Sequence, residues 1–217
     1  LQSALSLPLQ LDSSNPAALE AGLRVYNGKA AVNSVNGEPE VLDRILPIVK
    51  KYGAAVVGLT LDKGGIPQSA EQRVAIARRI LDAALSYGIP REDVWIDCLT
   101  LTVSAQQEQA AETLKAVHAV RHELGLQTVL GVSNISFGLP NRPLITQSFL
   151  TQAMYTGLTL PIINPNQKVM MDAVAAFRVL SGEDAQCQAY IARFAEEPAA
   201  TAAPSRPIPC WAAPGRR

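Results

Sequence analysis

Short apolar runs that stop abruptly at Asp, Asn or Ser recur along this chain. The sharpest is at residues 128–134, where Val129, Leu130 and Val132 give way to Ser133 and Asn134. The same event occurs at residues 9–14, 31–37, 56–62, 94–97 and 160–164. Continuous apolar runs bounded by turn residues predict strands buried on both faces, as in a parallel sheet. Between them lie helical patterns. Asn15-Pro16 is an N-cap followed by Pro at the first helical position, and that helix runs to about Tyr26. A second spans about 38–52 and stops at Gly53, with Pro47 expected to kink it. A third opens on the capping box Ser69-Ala70-Glu71-Gln72 and turns Val74, Ile76, Ala77, Ile80, Leu81, Ala84 and Leu85 inward. Further helices are predicted over about 107–124, 145–155, 167–180 and 184–194.

Strand-end polar residues at 12, 33, 62, 97, 134 and 164 are roughly 30 residues apart, about one-eighth of a typical eight-unit barrel. Strand and helix alternate, so the fold class is α/β. A doubly wound open sheet would usually show a G-x-G-x-x-G loop after an early strand, and none occurs. The expectation is a TIM-type (β/α)8 barrel with about six of the eight strand–helix units in this chain. Residues 1–195 are assigned to this partial barrel. The Ala/Pro-rich residues 196–217 are assigned to a disordered tail or linker. The chain starts at Leu1 without a basic n-region and reaches its first strand by Leu9, so it reads as beginning in mid-fold.

Composition narrows the function. The chain has 217 residues, 19 basic and 19 acidic, so no charge excess points to nucleic acid or an anionic membrane. No apolar run has the length of a membrane span. Cys98, Cys187 and Cys210 form neither a disulfide framework nor a zinc knuckle, which fits a cytoplasmic protein.

A barrel would bring Asp12, Asn33, Asp62, Asp97 and Asn134, with Asn164 as a further candidate, to one mouth. Carboxylates and amides without a basic cluster suit a ligand rich in N–H donors. A carboxylate accepts two parallel hydrogen bonds from a ring N–H and an exocyclic amine, the edge that an aminopyrimidinone such as a pterin presents. Taken singly, each Asp or Asn is more often a turn or cap residue. The recurrence carries the reading. Asp62 before Lys63-Gly64-Gly65, and Asn36-Gly37, have loop roles as strong alternatives. His118 and His122, four apart on an outer helix, are better read as a solvated face than as a metal pair. Cys98 should point away from the mouth and pack. Ser133 and Ser136 lack a His base. Arg142 either meets an anionic group or caps loop carbonyls.

The segments LDSSN, NSVNG, GAAVVGLTLDKGGIP, WIDCLTLTVS, LGVSNISFGLPNRP and INPN together resemble the pterin-binding domain of cobalamin-dependent methionine synthase. They are equally similar to methyltetrahydrofolate:corrinoid iron–sulfur protein methyltransferases. The resemblance covers residues 8–194. It implies a (β/α)8 barrel that transfers the methyl group of 5-methyltetrahydrofolate to the cobalt of a corrinoid (cobalamin), as in methionine biosynthesis. It implies that Asn134 helps a proton reach N5, and that Asp12, Asn33 and Asp97 hold the pterin edge. Gly131 and Ser133 match residues that shape the floor, and Arg142 matches a loop arginine near the ligand. The corrinoid is expected on a separate domain or protein docking over the mouth, with a homodimer also allowed. The family's first two strands, corrinoid module and zinc-bearing homocysteine domain are not in this sequence. The alternatives are a dihydropteroate synthase-like enzyme, disfavoured because Ile135 and Ser136 stand where a basic run is expected, and a truncated pterin-binding fragment without activity.

Overall fold

The computed structural model describes residues 2–4 and 6–195. The expected tail, 196–217, lies outside the described residues. The chain divides into two compact units, 1–177 and 178–217.

The first unit holds six parallel strands in chain order: β1 (Gln10–Asp12), β2 (Ala31–Asn36), β3 (Ala55–Leu59), β4 (Val94–Asp97), β5 (Gln127–Gly131) and β6 (Leu160–Ile162). Each strand pairs only with its neighbours in sequence, and the sheet curls into a half-barrel, the expected partial TIM barrel. Helices α1 (Pro16–Val25), α2 (Pro39–Tyr52), α3 (Ala70–Ser86), α4 (Glu108–His122), α5 (Arg142–Thr156) and α6 (Lys168–Leu180) alternate with the strands. The last residues of α6 open the second unit.

Local chemistry sets the helix ends. The Asn15 Oδ1 accepts from the N–H of Ala17 at 2.9 Å and opens α1. Gly53 closes α2 at φ +64, a conformation that favours glycine. Pro47 does not divide α2, which runs unbroken from Pro39 to Tyr52. The apolar face of α2 (Leu42, Ile45, Leu46 and Val49) is buried and holds it in place.

The pairing register fixes which face each residue takes. Gly58 on β3 pairs with Ile96 on β4. A Cβ on Gly58 would lie 2.7 Å from the Ile80 Cγ2 on α3, so this face meets the helices. Val32, Val56, Val94, Ile96, Cys98 and Leu130 share one buried core with Ile80, Val117 and Leu150. The residues one step along each strand face the other way, into the concave side. Asp12 pairs with Asn33, Leu59 with Asp97, and Asp97 with Val129.

Three expectations need correction. β3 ends at Leu59, so Asp62 is a loop residue, bridged to Gly65 in a tight turn. On α3, Ile76, Ala77, Ile80, Leu81 and Ala84 are buried as expected, but Leu85 is 43% exposed, and Arg73 is inside as well. In the second unit the helix expected from 184 is a 3-10 turn (Ala185–Cys187) followed by α7 (Gln188–Phe194). Gln186 and Cys187 take φ +57 and +58 and interrupt it, while the Asp184 carboxylate accepts from the N–H groups of Ala189 and Tyr190.

Candidate functional site

Parallel strands present all their C-terminal ends at one edge of the sheet, and the polar strand ends gather there. Asp12 and Asn33 are adjacent, with the Asn33 Nδ2 donating to the Asp12 Oδ2 at 3.4 Å. Leu11 packs towards α1, beneath Gly22, so Asp12 and its in-register partner Asn33 take the concave side.

Asp97 ends β4 on the same side and is only 9% exposed. Its Oδ1 accepts from the N–H of Leu99 at 2.8 Å. Among the described residues the carboxylate has no further hydrogen-bond partner. Burial is the main influence on this carboxyl and the Leu99 N–H opposes it, leaving a pKa raised from 3.8 to about 6. A carboxylate held this way needs donors, and it can accept them on both oxygens, since Oδ1 keeps a second lone pair.

β5 ends at Gly131, which pairs with Ile162 and lies on the concave side. A 3-10 turn, Val132–Ser136, follows and carries Asn134. The Asn134 amide lies across Gly131: a Cβ there would come 3.1 Å from its Nδ2. Gly131 therefore makes room for the amide, and the turn aims that amide back over the strand ends.

Arg142 begins α5 and belongs to the frame of this turn. Its Nη2 donates to the Ser133 carbonyl at 3.0 Å and its Nε to the Ser136 Oγ at 3.1 Å. The guanidinium also sits 4.2 Å above the ring of Phe137, which is half-exposed. Arg142 thus caps polar groups of its own loop. Ser133, Phe137, Arg142 and Asn164 line a cavity of about 390 Å3 beside the strand ends. The Asn164 Oδ1 accepts from the N–H of Asn166, so Asn164 builds its own turn.

Asp62 stands apart. Its carboxylate accepts from the Gly64 N–H at 3.0 Å and from the Arg79 Nη1 at 3.2 Å, and both lower its pKa. It faces a crevice lined by residues of α3. Asn36 likewise forms a turn, accepting from the Glu38 N–H. His118 and His122 stack at 4.5 Å on α4. No group of three metal-binding side chains occurs among the described residues. The Cys98 thiol is fully buried and pushed up by that burial, as befits packing. A larger cavity, about 570 Å3, lies on the outer surface between α3 and α4, away from the strand ends.

Sequence reasoning missed Arg73. Its guanidinium is fully buried beneath the loop that follows β4. The available signal was its position on the inward stripe of α3, three residues from Ala70 and from Ile76.

Similarity agrees with this arrangement. The family described as pterin binding enzyme matches residues 1–164. A methylcorrinoid:tetrahydrofolate methyltransferase of Eubacterium limosum is 29% identical over 197 residues, covering 89% of this chain and 73% of that protein. A methionine synthase of Mycobacterium tuberculosis is 36% identical over 188 residues, covering 80% of this chain; the chain spans 16% of that protein's length. Among solved structures, a Yersinia pestis DHPS holding a pterine–sulfa conjugate matches with TM-score 0.66 and 12% identity, over 83% of this chain and 71% of that one. A dihydropteroate synthase of Xanthomonas albilineans matches with TM-score 0.64 and 18% identity, over 83% and 70%. At such identities the structural likeness speaks for the fold alone. The polar strand ends, the half-barrel that gathers them and a match over most of the sequence lead to one conclusion: this chain belongs to the pterin-binding enzyme family.

Proposed function

We propose that this chain catalyses methyl transfer from 5-methyltetrahydrofolate to the cobalt of a corrinoid. The observation that carries the reading is the gathering of Asp12, Asn33, Asp97 and Asn134 at one edge of the sheet, in a chain whose relatives include a corrinoid- and folate-linked methyltransferase. Asp97 accepts the paired N–H donors of the pterin edge, and Asp12 and Asn33 take neighbouring polar atoms of the ring. Gly131 and Ser133 form the floor beneath it. Arg142 holds the turn that presents Asn134, and Asp62 shapes the neighbouring loop.

The methyl group sits on a tertiary amine, a poor leaving group. The carbon–nitrogen bond breaks with its electron pair returning to N5, so a proton delivered to N5 eases the step. An amide can donate or accept, so Asn134 can follow N5 through its change of protonation. Catalysis on this reading is positioning plus stabilisation of the protonated amine. A reduced corrinoid on a partner domain or protein, docked over the strand ends, would supply the cobalt nucleophile. The dihydropteroate synthase alternative has fold likeness alone in its favour. Ile135, where a basic residue would be wanted, is buried in the core.

The test is Asn134→Ala. Methyl transfer should slow by about 100-fold or more, the scale of a general acid–base contribution. Binding of 5-methyltetrahydrofolate, read by titration calorimetry, should weaken far less. Equal losses in both would remove Asn134 from the proton path, and no binding by the parent chain would remove the pterin reading itself.

A further inference from the structure

Asp97 points into the candidate site from an unusual stretch of backbone. Leu99, two residues on, has φ +61, a conformation that L-residues with large side chains rarely adopt. The Leu99 N–H donates to the Asp97 Oδ1, and its direction is set by the plane of the Cys98–Leu99 peptide. Something must hold it there.

The restraint lies underneath. The buried Arg73 reaches from α3 and donates from Nη1 to the Cys98 carbonyl at 3.0 Å and the Leu99 carbonyl at 3.1 Å. Its Nη1 also meets the Thr113 Oγ1 at 2.9 Å, its Nη2 the Gln109 Oε1 at 2.6 Å, and its Nε the Pro67 carbonyl at 3.0 Å. Every one of these acceptors is neutral. Thr113 shares its hydroxyl proton between the Leu99 carbonyl at 3.1 Å and the Gln109 carbonyl at 2.9 Å. A buried charge costs much unless hydrogen bonds surround it, so a cation here is an expensive way merely to join two helices. What the guanidinium does that an apolar residue could not is hold two successive carbonyls from Nη1 while Nη2 and Nε, in the same rigid plane, anchor it to Gln109 and Pro67.

We infer that Arg73 is the positioning residue for Asp97, acting through the Cys98–Leu99 backbone that it holds in the left-handed conformation. Leu99 is committed at both ends, its carbonyl to Arg73 and Thr113 and its N–H to Asp97. The Cys98 carbonyl that Arg73 holds and the Leu99 N–H lie on opposite edges of one rigid peptide plane. Without Arg73 the strain at Leu99 is relieved by turning that plane, the N–H swings off Oδ1, and the carboxylate loses its fixed rotamer. The consequence for ligand binding rests on the pterin reading of the site; the clamp itself does not.

Arg73→Lys retains the charge, ends one bond short of the Nη1 position and loses the planar set of anchoring nitrogens. In the ligand-free chain, the side-chain carboxyl of Asp97 is followed by carbon-13 NMR titration. Its midpoint should move up in Arg73→Lys, because the lost Leu99 N–H had been lowering it. Leu99→Gly in that background should restore the midpoint, because glycine carries no strain at positive φ and so leaves nothing to turn the Cys98–Leu99 peptide plane. Leu99→Gly alone should leave it near the parent value. Thr113→Val, which leaves Arg73 in place, should give a smaller upward shift, and it serves as the reading if Arg73→Lys does not fold. An unmoved midpoint in whichever of Arg73→Lys and Thr113→Val is folded, or a shift that glycine does not reverse, would overturn the clamp. A purely structural Arg73 would lower thermal stability and leave the titration unchanged. In parallel, 5-methyltetrahydrofolate should bind about tenfold more weakly to Arg73→Lys, the loss expected for one charge-assisted hydrogen bond. If the parent chain binds no folate while the titrations behave as stated, the site assignment falls and the clamp stands.

Discussion

Asp97 shows how a residue of the candidate site can oppose the fold that carries it. Burial raises its carboxyl from 3.8 to about 6. The folded state therefore binds this proton more tightly than the unfolded chain does. The sign follows: the contribution to stability is most favourable at low pH and declines as pH climbs from about 4 through 6. Above that range the buried carboxylate costs up to about 3 kcal/mol. Asp97→Asn should thus stabilise the ligand-free chain in urea denaturation at pH 8, with the gain shrinking by pH 5. The same change should remove pterin binding, and in the parent chain binding should weaken below pH 6 as the acceptor is protonated. A second prediction at this scale concerns Gly131. Its φ of −74 suits alanine, yet the new Cβ would stand 3.1 Å from the Asn134 amide. Gly131→Ala should slow methyl transfer while shifting the thermal midpoint little, as measured by activity and calorimetry on the same sample. Asp97 and Asn134 could be read from sequence because each ends an apolar run. Arg73 could not, because a charged residue on a helix is ordinarily solvated, and only its partners on α4 and in two loops make burial tolerable.

At the level of elements, the seam between β3 and α3 is a close contact behind the site. Gly58 allows Ile80 to sit directly on the sheet, with Ile96 beside it. Ile80 and Ile96 are fully buried, so neither can yield easily. Gly58→Ala should destabilise the chain by about 1–3 kcal/mol through overpacking, measured as a lower urea midpoint. Helix boundaries were largely legible, because caps announce themselves: Asn15 before Pro16, Ser69 donating no side chain to the core but accepting from Gln72, Gly53 at positive φ. The end of β3 was not. The apolar run continues to Leu61, but the strand stops at Leu59 and the chain turns, with the Asp62 and Gly65 backbones bonded to each other. Hydrophobicity marks what is buried; it does not distinguish a strand residue from a buried turn residue.

On the scale of the molecule, chain order equals sheet order, and this is why residues as distant as Asp12 and Asn134 meet at one edge. Among the described residues the sheet does not close: β1 and β6 each pair on one side only, and unpaired strand edges invite association. The chain on its own should therefore self-associate as its concentration rises, seen as a growing sedimentation coefficient; a single monomeric species throughout would contradict this. The sequence by itself determined the alternation of strand and helix, the repeat length and the polar residues that end the strands. All of these are local patterns, set by neighbours a few positions away. Only the tertiary structure decided that Asp62 is engaged by Arg79, that Arg142 braces its own turn, and that Arg73 lies under Leu99. The reason is physical: whether a polar group is buried, and what it grips there, depends on partners brought from distant segments, and no local pattern encodes them.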